Sequence, residues 1–161
     1  MLYKTRAKKI ISGGQTGIDR GALDACLKNG FPTGGWCPKE RHAEDGKIDH
    51  AYPLKETDEP SYKHRTRKNI LDSDGTLIIS PGILFGGTFI TQKIAEEQNK
   101  PCLVISVLNE EFELIPDKIA EWIHTGQIET LNIAGPRKSH WLTGYEISFL
   151  ITEKLIEKAN S

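Results

Sequence analysis

The stretch richest in potential chemistry is Ile10-Ile11-Ser12-Gly13-Gly14-Gln15-Thr16-Gly17-Ile18-Asp19-Arg20. An apolar run stops at paired glycines. A helical pattern of Ile18, Ala22, Leu23, Ala25, Cys26 and Leu27 then opens at Thr16. Strand, tight turn and helix N-terminus in that order gather unpartnered amides at the positive end of a helix dipole, which suits an anion. Gly13 and Gly14 lack Cβ atoms and let the backbone approach a phosphate closely. Gln15, Thr16 and Arg20 add side-chain donors. The same pattern also builds an ordinary βα turn that binds nothing.

Two later turns repeat the plan, one at residues 82–88 with Gly86, Gly87 and Thr88, the other at residues 135–139 with Gly135, Arg137 and Ser139. Each leaves the carboxyl end of a strand and enters a helix. In open α/β sheets ligands bind outside those ends, where the strand order reverses, so the three turns are expected to converge on one site. Arg20, Lys39, Arg41 and Arg137 are the candidate cations, arginine offering a fork to phosphate or carboxylate and lysine a point charge. Solvated surface charge is the alternative for Lys39 and Arg41. Trp36 could stack on a planar ring or cap the core.

Other chemistries find less support. The first turn lacks the lysine of a P-loop, and no Gly-x-Gly-x-x-Gly follows the first strand. Cys37 and His42 could pair as nucleophile and base or join a metal site, but tight zinc-ligand spacing is missing, and no intrinsic metal site is expected. Asp72-Ser73-Asp74-Gly75 could hold Mg2+ but reads first as a turn.

These residues need a scaffold of alternating strands and helices. Strands are expected at residues 7–12, 76–80, 102–107 and 131–134, with a brief one near 31–38. Helices are expected at 16–29, stopped by Gly30, and at 61–71, 89–99, 116–124 and beyond 140. The last carries Ile147, Leu150, Ile151, Leu155 and Ile156 as one stripe. Residues 39–53 are charged and too polar for a core. They read as a binding flap, with residues 39–49 expected to be mobile when empty and ordered when filled. The sum is an α/β fold, a mostly parallel sheet with helices on both faces.

The 161 residues fit one domain spanning 1–161. Lys and Arg number 21 against 22 Asp and Glu, a net charge of -1, which disfavours nucleic acid as a partner. Three cysteines without a close pair favour a reducing, cytoplasmic setting. The basic run 1–9 leads straight into the first strand, with no signal-peptide core and no membrane-spanning run.

Several segments together resemble the molybdenum cofactor carrier family. They are residues 13–24, Gly34-Gly35-Trp36-Cys37-Pro38-Lys39, Ala43-Glu44-Asp45-Gly46, Tyr52-Pro53-Leu54, Arg65-Thr66 with Asn69, residues 72–78, Gly86-Gly87-Thr88 and residues 131–137. That family is similar to a circularly permuted branch of the Rossmann-like group containing the lysine-decarboxylase-like phosphoribohydrolases. The resemblance implies a Rossmann-like three-layer sandwich, a homo-oligomer, and a site for a phosphorylated small molecule, either molybdenum cofactor (molybdopterin) or a nucleotide. It carries binding roles to Gly13, Gly14, Gln15, Thr16, Arg20, Gly86, Gly87, Thr88 and Arg137, and the adjoining turn and flap positions Gly17, Trp36, Lys39, Gly135 and Ser139 complete the candidate set. A binding or carrier role is expected, with a phosphoribohydrolase-like enzyme or a nucleotide-sensing module as alternatives. The similar hydrolases carry a catalytic glutamate three residues after the threonine of their glycine turn, whereas Thr91 follows Thr88 here. Glu40 also replaces the glycine frequent after Pro-Lys, and residues 140–144 are not the small turn expected.

Overall fold

The computed structural model describes residues 5–160; Met1, Leu2, Tyr3 and Lys4 of the basic N-terminal run, and Ser161, lie outside the described residues. Five parallel strands form the sheet: β1 (Lys9–Ile11), β2 (Thr33–Gly34), β7 (Gly75–Ser80), β8 (Cys102–Ser106) and β9 (Thr130–Ala134), in the order β2-β1-β9-β7-β8. Five helices flank it: α1 (Ile18–Lys28), α2 (Tyr62–Leu71), α3 (Gly86–Glu97), α4 (Ile115–Gly126) and α5 (Gly144–Asn160). The architecture is the expected Rossmann-like α/β sandwich. Two small ribbons pair β3 (Trp36–Cys37) with β6 (Lys55–Glu56), and β4 (His42–Ala43) with β5 (Gly46–Lys47).

Strand alternation divides the core. Leu77, Ile79, Leu131 and Ile133 join Ile18, Ala22, Ile119, Ile123, Ile151 and Leu155 in one large cluster, so α1, α4 and α5 share a face. Ile70 of α2 packs with Ile94 and Ala95 of α3 in a separate cluster. All six residues of β7 are buried, as a strand covered on both faces requires. The α5 stripe differs from its sequence pattern. Leu150 is exposed, while Ser148 and Thr152 are buried. Ser148 can sit inside because its hydroxyl donates to the Ile18 carbonyl at 2.7 Å, and because Gly21 lets α5 approach α1. In α4 the left-handed stop is Gln127 (φ 51), one residue past Gly126.

The order places β9 between β1 and β7. The chain leaves β1 toward one sheet edge and β7 toward the other, so a switch point opens above the central strands. The turns after β1 and β9 and the first turns of α3 meet there.

Candidate functional site

A cleft of about 270 Å³ lies at this switch point. Gly13, Gln15 and Asp19 line it after β1, Gly87 and Thr88 from the start of α3, and Gly135, Pro136 and Arg137 after β9. The fourth wall is α2, through Tyr62, Lys63, Arg65, Thr66 and Asn69. Of the sequence-derived candidates, Gly13, Gln15, Gly87, Thr88, Gly135 and Arg137 thus share one cavity.

The remaining candidates build its walls or stand elsewhere. Gly14 (φ +82) turns away from the cleft, toward Leu54 and Ile48. Thr16 donates its hydroxyl to the Glu44 carboxylate and accepts the Lys138 N–H at 3.1 Å. Gly17 (φ +82) lies so close to the 136–138 backbone that a Cβ would come within 2.6 Å of the Pro136 oxygen. Gly86 starts α3 beside the lining Gly87. Ser139 donates its hydroxyl to Glu44 at 2.6 Å. Arg20 is spent on Asp45, through two hydrogen bonds of 3.0 Å, and on the Gly14 carbonyl at 2.7 Å. Trp36 donates its indole N–H to Asp72 at 2.6 Å, with Lys68 over its ring. Lys39 lines a separate hollow with Glu40, His42 and Lys47.

Two expectations about the flap are corrected. Arg41 is buried, and its guanidinium donates to the carbonyls of Ile48, Leu54, Asp49 and Tyr52 at 2.8–3.1 Å. The segment is also not wholly polar in role. Ala43 and Ile48 pack with Leu23, Cys37 and Leu54 in a small core of their own. Cys37 is fully buried there and desolvation pushes its thiol up, opposite to what a nucleophile needs. His42 is exposed and stacks on Tyr62 at 5.7 Å. Asp72 and Asp74 also serve the fold, Asp74 accepting the N–H groups of Glu129 and Thr130.

Arg65 carries more of the site than its sequence context suggests. It is buried, donates from Nη1 to the Gly13 carbonyl at 2.7 Å, and stands 3.8 Å from Asp19. Its guanidinium carbon lies 5.4 Å from the Tyr62 ring centre, and that of Arg137 lies 5.2 Å from the same ring. Tyr62, Arg65 and Asn69 share one face of α2 at helical spacing, a signal that adds to the place of Arg65-Thr66 and Asn69 among the family-like segments. Desolvation lowers the Arg65 pKa; Asp19 opposes this and Arg137 adds to it. Burial raises the Asp19 pKa against the pull of Arg65 and the Gln15 N–H. A buried cation with a second one on the same ring and a single carboxylate 3.8 Å away has room for a further negative charge, which an anion would supply.

The flap is tied to this site. Glu44 accepts from Thr16, from the Ser139 hydroxyl and from the Ser139 N–H at 3.2 Å. Some desolvation acts against them, but these bonds and the nearby Arg137 hold its carboxyl below the usual value. Asp45 is held low chiefly by Arg20. Outside the cleft lining, Asp58, Glu59 and His64 bring ligand atoms within 4.8 Å of one another, with His64 contacting Asp58 at 3.1 Å and Glu59 at 2.9 Å.

A Rossmann-like sheet with a cationic cleft at its switch point defines a class of small-molecule-binding domains. The profile of the circularly permutated YpsA SLOG family matches residues 10–156, and the chain belongs to that family. It is also similar to the crystal structure of a "Putative molybdenum carrier protein" from Syntrophus aciditrophicus SB, with 46% identity, a TM-score of 0.90 and 98% of each chain covered. No curated protein matches the sequence. No helix among the described residues is long and apolar enough to cross a membrane.

Proposed function

We propose that the protein binds and carries a phosphate-bearing small molecule in the cleft between α2 and the turns after β1 and β9. The observation that carries this reading is the approach of Arg65 and Arg137 to one tyrosine ring within one cavity. Two guanidiniums beside the N-terminus of α3 suit an anion bearing more than one charge. The volume falls near the lower edge of small-molecule sites, about 300–1,000 Å³, and suits a mononucleotide or a pterin phosphate better than a dinucleotide. The similar crystal structure is named a molybdenum carrier protein, and among phosphate-bearing molecules molybdenum cofactor is the candidate cargo that agrees with that name. We place this activity in a single cytoplasmic domain that self-associates. The exposed Ile83, Phe85, Phe89 and Leu142 supply apolar surface for a second copy.

A second reading, phosphoribohydrolase-like catalysis, rests on Asp19, a buried carboxyl in the cleft lining. It is the weaker one. Thr91 stands where the similar hydrolases carry glutamate, and its hydroxyl donates to the Gly87 carbonyl at 2.9 Å. Calorimetry with inorganic phosphate, a purine 5′-monophosphate and a pterin phosphate tests the binding reading, and no heat from any of them overturns it. Release of free base from the nucleotide, lost in Asp19→Asn, would move the assignment to the enzyme.

A further inference from the structure

Gln15 is only 6% exposed, and its side-chain oxygen accepts two backbone N–H groups, from Thr16 at 3.1 Å and from Glu44 at 2.9 Å. Backbone amides only donate, so these two bonds fix which end of the amide is the oxygen. The nitrogen must face the other way. There it is buried and has no hydrogen-bond partner among the described residues, while the side chain lines the cleft. Buried amide donors are nearly always paired, so an unpaired one on a side chain that lines a cavity is a donor for a bound molecule to satisfy, with a small shift of the amide because the nitrogen itself is covered.

We infer that Gln15 reads a hydrogen-bond acceptor on the bound molecule, and that its other end makes occupancy of the cleft tighten the flap. This rests on the phosphate-binding reading above. The cations Arg65 and Arg137 take the anionic end of the ligand, and Gln15 Nε2 takes a lone pair at a second point. A carbonyl oxygen or an unprotonated ring nitrogen qualifies, and an ammonium or a plain hydrocarbon does not. Apolar atoms of Ile90, Ile133 and Pro136 line the same cleft and suit a flat heterocycle between the two points. The chemistry is therefore that of a phosphorylated heterocycle, which a purine nucleotide and a pterin phosphate share.

The flap link follows from the same amide. A ligand that orients Nε2 also holds Oε1 against the Glu44 N–H. The Glu44 carboxylate in turn holds Ser139, in the turn that carries Arg137. Gln15 thus links the turn after β1 to the flap, and Glu44 links the flap to the turn that carries Arg137.

The test uses the full chain, with inorganic phosphate, ribose 5-phosphate, inosine 5′-monophosphate and neopterin phosphate as probes, in wild type and Gln15→Glu. The variant keeps an oxygen toward both amides and turns the donor into an acceptor. Its added charge weakens all probes alike, so the decisive quantity is the advantage of a heterocyclic probe over ribose 5-phosphate. That advantage is expected to fall about tenfold in the variant, the scale of one hydrogen bond to a buried donor. The heterocycle whose advantage falls identifies the source. Hydrogen exchange gives the second readout. The Glu44 amide is expected to gain protection in wild type with that heterocyclic probe but not with inorganic phosphate, and to gain none in Gln15→Met. An unchanged advantage, or Glu44 protection equal with every probe, overturns the inference while leaving phosphate binding standing. Wild type that binds none of the four probes removes both.

Discussion

Arg65 and Arg137 stand against the same aromatic ring, their guanidinium carbons 5.4 and 5.2 Å from the centre of Tyr62. They reach it from different directions. Arg65 rises from α2 and is anchored by the Gly13 carbonyl, whereas Arg137 comes from the turn after β9 and is only half buried. Tyrosine offers each cation a π face, which offsets part of their mutual repulsion. What one ring cannot supply is a full counter-charge.

The two arginines should therefore respond differently to truncation. Arg137→Ala is expected to weaken inorganic phosphate binding about tenfold to a hundredfold, the scale of a charge-assisted hydrogen bond, with little change in melting temperature. Arg65→Ala is expected to lose binding and also about 3 kcal/mol of stability, because it leaves Asp19 and the Gly13 carbonyl without their buried partner. Titration calorimetry beside thermal melts separates the two. Equal melting temperatures for both variants would contradict this division of labour.

Asp19 gives the site a pH signature. Burial raises its pKa in the folded state, so the unfolded chain gives up this proton first as pH rises. The sign follows: the group favours folding most below its ordinary value, and that contribution is lost as pH rises toward the folded-state value. Asp19→Asn keeps an acceptor for the Gln15 N–H and removes the titration. The variant's stability relative to wild type is expected to improve as pH goes from about 4 to 7. Urea melts at several pH values measure this, and a constant difference across the range would refute it.

Much of this architecture is readable before any coordinates, for local reasons. Gly13-Gly14, Pro81-Gly82 and Gly135 each follow an apolar run, so strand ends and turns announce themselves within a few residues. The convergence of three such turns then follows from topology. Arginine destinations are not local. Arg20, Arg41 and Arg65 all sit among charges in the sequence. One pairs with Asp45, one gathers four carbonyls, and one crosses 52 residues to Gly13. Only tertiary packing sorts them. The flap misleads for the same reason, because its many charges hide Ala43 and Ile48, which bury themselves against Leu23 and Leu54.

The flap latch should open in acid. Glu44 and Asp45 are held below their ordinary pKa values by the groups they bind, so their grip is complete above those ordinary values and lost as pH falls through the lowered ones. Both are exposed, so global stability should change little. Local opening should change more. Hydrogen exchange in residues 42–48 is expected to speed up below pH 4, and Glu44→Gln is expected to show part of that increase already at pH 7. Exchange that tracks global unfolding at every pH would show that the latch holds nothing on its own.

Arg41 makes the strongest case for the flap as a folded unit. Its backbone is left-handed (φ 58), next to Glu40 at φ 67, and such strain persists only where surrounding contacts enforce it. Those contacts are the four carbonyls that its guanidinium gathers from residues 48–54. Lysine cannot replace this planar fork, since three donors on one nitrogen do not span oxygens set around a guanidinium. Arg41→Lys is accordingly expected to cost about 2 kcal/mol, and Arg41→Ala about 3 kcal/mol or more, by leaving buried carbonyls unpaired. At this chain length the alanine variant's melting temperature should fall by roughly 6–12 °C. Thermal melts give the cost, and thiol labelling gives its location: Cys37 in the flap's small core should become reactive in Arg41→Ala, while Cys26 in the main core stays protected. Equal labelling of the two cysteines would mean that Arg41 supports the whole domain, not the flap alone.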